Sequence, residues 1–221
     1  MKELKHIKYW LFDLDNTLYS GDTKVFDQVD KKMTHFISNK LNVTTEEAKK
    51  IQKNYFHEYN TTLNGMIKNH KIDAQEFLEF VHDVDLEFLK EDINLQSELA
   101  NLKGKKFIFT NGSKAHVANV TKRIGIEKLF DGVFDIVESD FIPKPSIEPY
   151  KKIIEKYKIE PQYSIFIEDI ARNLKPAHEL GMKTVWIKND EPWAAKYSDS
   201  DFINYKTDDL AKFLKEINEL K

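Results

Sequence analysis

Two acidic pairs stand where apolar runs stop. Asp13 and Asp15 end the run that begins at Lys8, and Glu168 and Asp169 end Ser164-Ile165-Phe166-Ile167. With one residue between them in an extended segment, Asp13 and Asp15 can point the same way while Leu14 faces the core. Taken alone, Asp15-Asn16 reads equally as a turn after a strand. The second pair changes the balance, because two oxygen-rich pairs without His or Cys suit a hard cation such as Mg2+ and disfavour zinc. Thr110-Asn111-Gly112-Ser113 closes another apolar run. It offers hydroxyls and, at Gly112, a close approach of backbone amides ahead of a helix, which either cradles a phosphate or merely caps that helix. Lys144 lies between Pro143 and Pro145, a stiffened loop able to hold an ammonium against phosphate charge.

Elements of two kinds must bring these groups together. Lys8–Leu14, Lys106–Thr110, Ser164–Glu168 and Lys183–Ile187 are short runs rich in β-branched and aromatic residues, so they read as buried strands. Helical patterns alternate with them over Lys114–Ile124, Ile147–Tyr157 and Ala171–Leu180, the last stopped by Gly181. Strand alternating with helix implies a parallel sheet covered on both faces, whose carboxyl edge gathers the candidate residues. From about Asp22 to Asp92 the alternation lapses into helical periodicity alone (Val25, Val29, Met33, Phe36, then Ala48, Ile51, Tyr55), which reads as a helical insertion. Thr44-Thr45-Glu46-Glu47 is a helix start, and Leu210, Phe213, Leu214 and Ile217 give a final helix packed on the sheet.

The whole chain limits what such a site can serve. Its 221 residues suffice for a core with a smaller inserted domain, and 41% hydrophobic against 32% charged residues is a globular balance. Lys plus Arg (34) nearly cancel Asp plus Glu (37), so a polyanion surface is absent and a nucleic-acid partner is not expected. There is no cysteine, which excludes thiol nucleophiles and thiolate metal sites and fits a cytoplasmic location. Asp13 interrupts the first apolar run far short of a signal core or a membrane span, so no membrane partner is expected either.

Together these motifs resemble the haloacid dehalogenase superfamily, whose phosphatases carry Asp-x-Asp-x-Thr (here Asp13-Leu14-Asp15-Asn16-Thr17), a Thr or Ser after a second strand (Thr110), a later Lys (Lys144) and an acidic pair (Glu168-Asp169). All four occur in order between residue 8 and about 187. The resemblance implies an α/β, Rossmann-like parallel-sheet core over residues 1–20 and 93–221 with a helical cap of the C1 type over 21–92. It implies Asp13 as nucleophile, Asp15 as acid and base, and Mg2+ held by the Asp13 carboxylate, the Asp15 carbonyl and Asp169 with Glu168 nearby. Thr110, the amides of Asn111 and Gly112, and Lys144 would bind phosphate.

More narrowly, Tyr55–Tyr59, Thr62–Met66, His70, Val81–Asp85 and Phe166–Leu174 resemble the pyrimidine 5′-nucleotidase branch, although Glu168-Asp169-Ile170 stands where many relatives have Asp-Asp-Ser. In that reading Tyr55, Tyr59, His82, Asp83 and Asp85 are candidates to contact the nucleotide. The same residues also read as cap packing and surface. The expected partner is a small phosphomonoester, with the protein a monomer or homodimer. A sugar-phosphate phosphatase or phosphomutase of the same superfamily is the alternative, followed by a module that binds phosphate and metal without turnover.

Overall fold

The computed structural model describes residues 2–220. Among them, six parallel strands form one sheet: β1 (Tyr9–Phe12), β2 (Lys105–Phe109), β3 (Gly132–Phe134), β4 (Ser164–Glu168), β5 (Lys183–Ile187) and β6 (Tyr205–Thr207). Their order across the sheet is β3-β2-β1-β4-β5-β6. The chain therefore builds outward in one direction through β2 and β3, then returns to the other side of β1 and builds outward again. The reversal lies between β1 and β4, the place where open α/β sheets leave a crevice at their carboxyl edge. Helices α1 (Val25–Leu41), α2 (Thr45–Tyr59), α3 (Thr62–His70), α4 (Ala74–His82) and α5 (Ile93–Asn101) lie between β1 and β2. The other crossovers use α6 (Lys114–Arg123), α7 (Ile147–Tyr157), α8 (Leu174–Glu179) and the short α9 (Pro192–Ala195), and α10 (Leu210–Asn218) ends the fold.

Strand alternation sorts the core into two halves. Trp10 and Phe12, Ile108, Ile165 and Ile167, and Val185 and Ile187 face one side, where they pack with Leu95 and Leu99 of α5, Val117 and Val120 of α6, and Phe213 and Leu214 of α10. Leu11, Phe107, Phe109, Phe166 and Trp186 face the other, against Tyr150 and Ile153 of α7 and Leu174 and Ala177 of α8. Each such fully buried side chain contributes about 1.5–3 kcal/mol over its exposed state. Because β1, β4 and β5 are buried on both faces, they read as unbroken apolar runs in the sequence.

Helices α1 to α4 supply most of a third cluster, with Val29, Phe36, Ile37, Met66, Phe77 and Leu78 in it and Ile136, from the segment after β3, packed among them. A full capping box opens α2: the Thr44 side chain accepts from the Glu47 amide, and Glu47 reaches back to the Thr44 amide. The chain segment that follows α4 leaves this cluster, since Leu86 and Leu89 pack on the sheet side. Arg123 holds it there, donating to the carbonyls of Leu86 (3.1 Å), Leu89 (2.9 Å) and Glu87 (3.1 Å).

Two expectations needed revision. The run Ala171–Leu180 divides into a single 3-10 turn, Ala171–Asn173, and a helix that starts only at Leu174. Strands β3 and β6 were not anticipated, because each is three residues long and lies at a sheet edge, too short to show a period. Helix α5, which follows the insertion, packs on the sheet side through Leu95 and Leu99.

Candidate active site

The register of the sheet puts the motif residues side by side. Phe12 is level with Ile108 on β2 and Ile167 on β4, so the next residues, Asp13, Phe109 and Glu168, share one line at the carboxyl edge. The Asp13 amide is fixed to the Ile167 carbonyl at 2.9 Å and the Thr110 amide to that of Phe134 at 3.1 Å. Asp13, Glu168 and Asp169 each bring an oxygen within 4.8 Å of the others, and all three residues are buried.

Lys144 enters this acidic group from the loop opposite. It is 1% exposed, and its ammonium donates to Asp13 Oδ1 (2.8 Å), Glu168 Oε2 (2.6 Å) and the Phe109 carbonyl (2.9 Å). All three of its hydrogens thus have protein acceptors, which leaves it no free donor and fixes the orientation of Asp13. The loop that carries it is clamped by Asn111, whose side-chain oxygen accepts from the Lys144 amide at 2.9 Å and whose amide group faces the Lys144 carbonyl at 3.4 Å. Glu168 is fully used as well, its second oxygen accepting from the Ile170 amide at 3.1 Å. The Asp169 carboxylate accepts from Asn189 at 2.7 Å, and its carbonyl accepts from the Trp186 indole at 2.6 Å.

Fully ionised, these three carboxylates against one ammonium would leave two negative charges in a buried space. Burial first, and then the charge of Glu168, push Asp13 up to about 8 against the pull of Lys144, and burial with Glu168 and Asp13 raises Asp169 well above the carboxylate range. Burial would lower Lys144, but the two carboxylates outweigh it and keep the ammonium charged. An all-oxygen set carrying two surplus negative charges fits a hard divalent cation.

Asp15, only two residues from Asp13, stands apart from that cluster. Its Oδ1 accepts from the Tyr19 hydroxyl at 2.5 Å and from His116 Nε2 at 2.8 Å. Burial pushes this carboxyl up, but the charge and hydrogen bond of His116 and the bond from Tyr19 prevail and hold it at about 2. Thr110 is buried beside it, and its hydroxyl accepts the Gly112 amide at 2.9 Å, so that amide already has a partner.

The model of the haloacid dehalogenase-like hydrolases matches residues 7–181, the stretch that holds all of these groups. The chain belongs to that family. Among curated proteins, this hydrolase is 34% identical to Phosphate metabolism protein 8 of Saccharomyces cerevisiae over 79% of its own length and 60% of the relative's. The chain therefore spans about three fifths of that relative. It is 27% identical to the Glyceraldehyde 3-phosphate phosphatase of Methanocaldococcus jannaschii over 97% of this chain and 99% of that one. Among solved structures, a HAD phosphatase from Thermococcus onnurineus superposes with a TM-score of 0.64 at 20% identity, covering 96% of this chain and 98% of the other, a likeness of fold.

Over the acidic floor of this hydrolase, helices α1 to α4 enclose a cavity of about 130 Å³. Asp13, Asp15, Thr110, Asn111, Gly112, Lys144, Glu168 and Asp169 all line it. Of the five cap candidates only His82 does. Tyr55 and Tyr59 are absent from its walls: they meet edge to face, and Tyr55 bonds His70 at 2.7 Å. Tyr55 is also packed so tightly on α3 that a Cβ on Gly65 would come within 2.4 Å of its ring, which is why glycine stands there. Asp83 points outward to Lys32, and Asp85 accepts the Glu87 amide at the surface.

The walls also contain aromatic and apolar residues that carried no expected role of their own. Phe56, next to Tyr55, faces the cavity with Trp193 edge-on at 5.2 Å, and the Arg172 guanidinium lies 4.7 Å from its ring centre. Val29, Met33, Leu63 and Leu78 complete an apolar surface. Tyr19 and His116 were also missed. A signal existed for each: Tyr19 follows Asp15 by one helical turn, and His116 sits in the first turn of the helix that Ser113 caps at the sheet edge. No helix of the described residues is long and apolar enough to cross a membrane.

Proposed function

We propose that this hydrolase is a magnesium-dependent phosphomonoesterase that forms an aspartyl-phosphate on Asp13 and prefers small pyrimidine nucleoside 5′-monophosphates. The observation that carries the reading is the contrast between Asp13 and Asp15. Asp13 sits with Glu168 and Asp169 in an oxygen set that suits a divalent cation, its Oδ1 held by Lys144, whereas Asp15, two residues on, lies outside that set under the donors Tyr19 and His116. A cation bound there would keep Asp13 ionised for attack and leave Asp15 free for proton transfer.

In this mechanism an oxygen of Asp13 attacks phosphorus while Lys144 holds its Oδ1. The bond from phosphorus to the leaving oxygen breaks, and Asp15 donates a proton to that oxygen. Asp15 then removes a proton from a water that attacks the phosphoaspartate, which frees Asp13 and inorganic phosphate. A dianionic phosphate beside Asp15 disfavours its carboxylate form, and this is the condition for it to carry a proton at the first step. Magnesium would be held by oxygens of Asp13 and Asp169 and the Asp15 carbonyl, where it neutralises phosphate charge. Glu168, both of whose oxygens are engaged, serves by fixing Lys144 and the turn to Ile170. Helices α1 to α4 act as the cap, and Phe56 with Trp193 supplies the flat apolar surface for a base.

A second reading, a phosphatase of small sugar phosphates, is favoured by the relative named Glyceraldehyde 3-phosphate phosphatase, which aligns with nearly the whole chain. Both readings share the floor of the site and differ in the leaving group. Phosphate release from UMP, CMP, AMP, glyceraldehyde 3-phosphate and hexose phosphates, compared as kcat/KM, tests them. The nucleotide reading expects UMP and CMP to lead; a lead for triose or hexose phosphates selects the second. No phosphate release from any ester, p-nitrophenyl phosphate included, would sink both.

A further inference from the structure

The two oxygens of Asp15 have unequal surroundings. Tyr19 and His116 both bond to Oδ1, at 2.5 and 2.8 Å, and neither touches Oδ2. A carboxylate oxygen offers about two lone-pair sites, so both sites on Oδ1 are taken by donors and an added proton has only Oδ2 to occupy. The donors are themselves held firmly. His116 is 1% exposed, its amide is capped by Ser113 at 3.3 Å, and the ring of His82 from α4 stacks on it at 4.4 Å and 13°. His82 in turn is fixed by Ser113 at 3.0 Å. His116 Nδ1 is buried and meets no partner, so Nε2 is the ring atom that donates to Asp15.

We propose that His116 and Tyr19 are positioning residues for the acid and base: they lock Oδ1 of Asp15 and so make Oδ2 the one oxygen that passes a proton to the leaving group and takes one from water. The inference rests on the phosphatase reading, in which Asp15 is the acid. Without the lock the carboxyl can rotate and bond elsewhere, and proton transfer loses its geometry although the nucleophile is untouched. The loss must then depend on how much the departing oxygen needs a proton. A poor leaving group suffers and a good one hardly notices, whereas a general disturbance of the fold harms both alike.

The test compares kcat/KM for phenyl phosphate and 2,4-dinitrophenyl phosphate, two aryl esters of different leaving-group basicity, in wild type, Asp15→Asn, His116→Ala and Tyr19→Phe. We expect Asp15→Asn to lower the phenyl ester by about 100-fold or more relative to the dinitrophenyl ester, and His116→Ala to shift the same ratio the same way by about tenfold or more. His116→Gln, which retains an N–H donor, should restore part of that ratio. Equal losses on both esters in His116→Ala, with Asp15→Asn still discriminating, overturn the inference and leave the phosphatase reading standing. Failure of Asp15→Asn itself to discriminate removes the acid assignment, and the inference with it. Should His116→Ala not fold, Tyr19→Phe, which removes a single hydroxyl, decides by the same ratio.

Discussion

The floor and the roof of this cavity are built on different principles. On the floor the polar groups are buried or partly so, and several are held by partners far away in sequence: Lys144 binds Asp13 across 131 residues and Glu168 across 24, and His116 reaches Asp15 across 101. The roof presents mostly apolar side chains to the cavity, and of its polar candidates only His82 lines it, while Asp83 turns to Lys32 and Tyr55 to His70. In the proposed mechanism a floor of this kind fixes one reaction and is indifferent to what the phosphate was attached to. A roof of this kind can discriminate among leaving groups but has no means to act on phosphorus. Substitutions should therefore separate cleanly into those that abolish all turnover and those that re-rank substrates.

The largest effect belongs to Asp13. Asp13→Asn and Asp13→Ala are expected to remove turnover of every ester, to below about a hundredth of wild type, with the circular dichroism spectrum unchanged; a surviving fraction above that points to another nucleophile. Next comes the metal. Exhaustive chelation should stop release of phosphate from nucleotide and aryl esters alike, with recovery on adding magnesium, and the melting temperature should rise with magnesium because the cation binds the folded state alone. Full activity in chelator would break the account of the floor.

Smaller and selective effects are expected from the roof. Phe56→Ala should cost about 1–3 kcal/mol in kcat/KM for UMP, comparable with the loss of one base-stacking ring, and much less for p-nitrophenyl phosphate. Tyr55→Ala should leave the ratio of the two substrates where it was and lower the melting temperature instead. If Tyr55→Ala re-ranks substrates and Phe56→Ala does not, the assignment of the inward face of α2 is wrong. The smallest effect is that of Asp83→Ala, expected to keep kcat/KM for UMP within about a factor of two, as an exposed ion pair should.

The same contrast accounts for what the sequence disclosed. Residues of the floor follow buried strands, and a strand buried on both faces is an unbroken apolar run, so Asp13, Thr110 and Glu168 could be located by where those runs stop. The three-residue strands β3 and β6 escaped notice, for no period exists over such a length. In the roof the difficulty is angular. Tyr55 and Phe56 are neighbours on α2, about 100° apart around its axis, and both are aromatic. Which of them faces the cavity is decided by how α2 seats on α3, and the close approach of Gly65 to Tyr55 is a tertiary fact with no local signature. His116 was hidden for a similar reason, since nothing near it in sequence announces the carboxylate it holds.

The Arg123 clasp on the segment after α4 has a further consequence, in the entropy of chain closure. Leu18, Tyr19 and Val25 on the outward path and Leu89 on the return belong to one core cluster, so the four-helix excursion is closed at its base before its own interior is considered. Closing a longer excursion costs only logarithmically more, about 0.6 kcal/mol for each doubling of length. An excursion pinned in this way can lengthen, shorten or exchange its helices with little strain on the strands below. The fold thus lets its choice of substrate drift while its chemistry stays put.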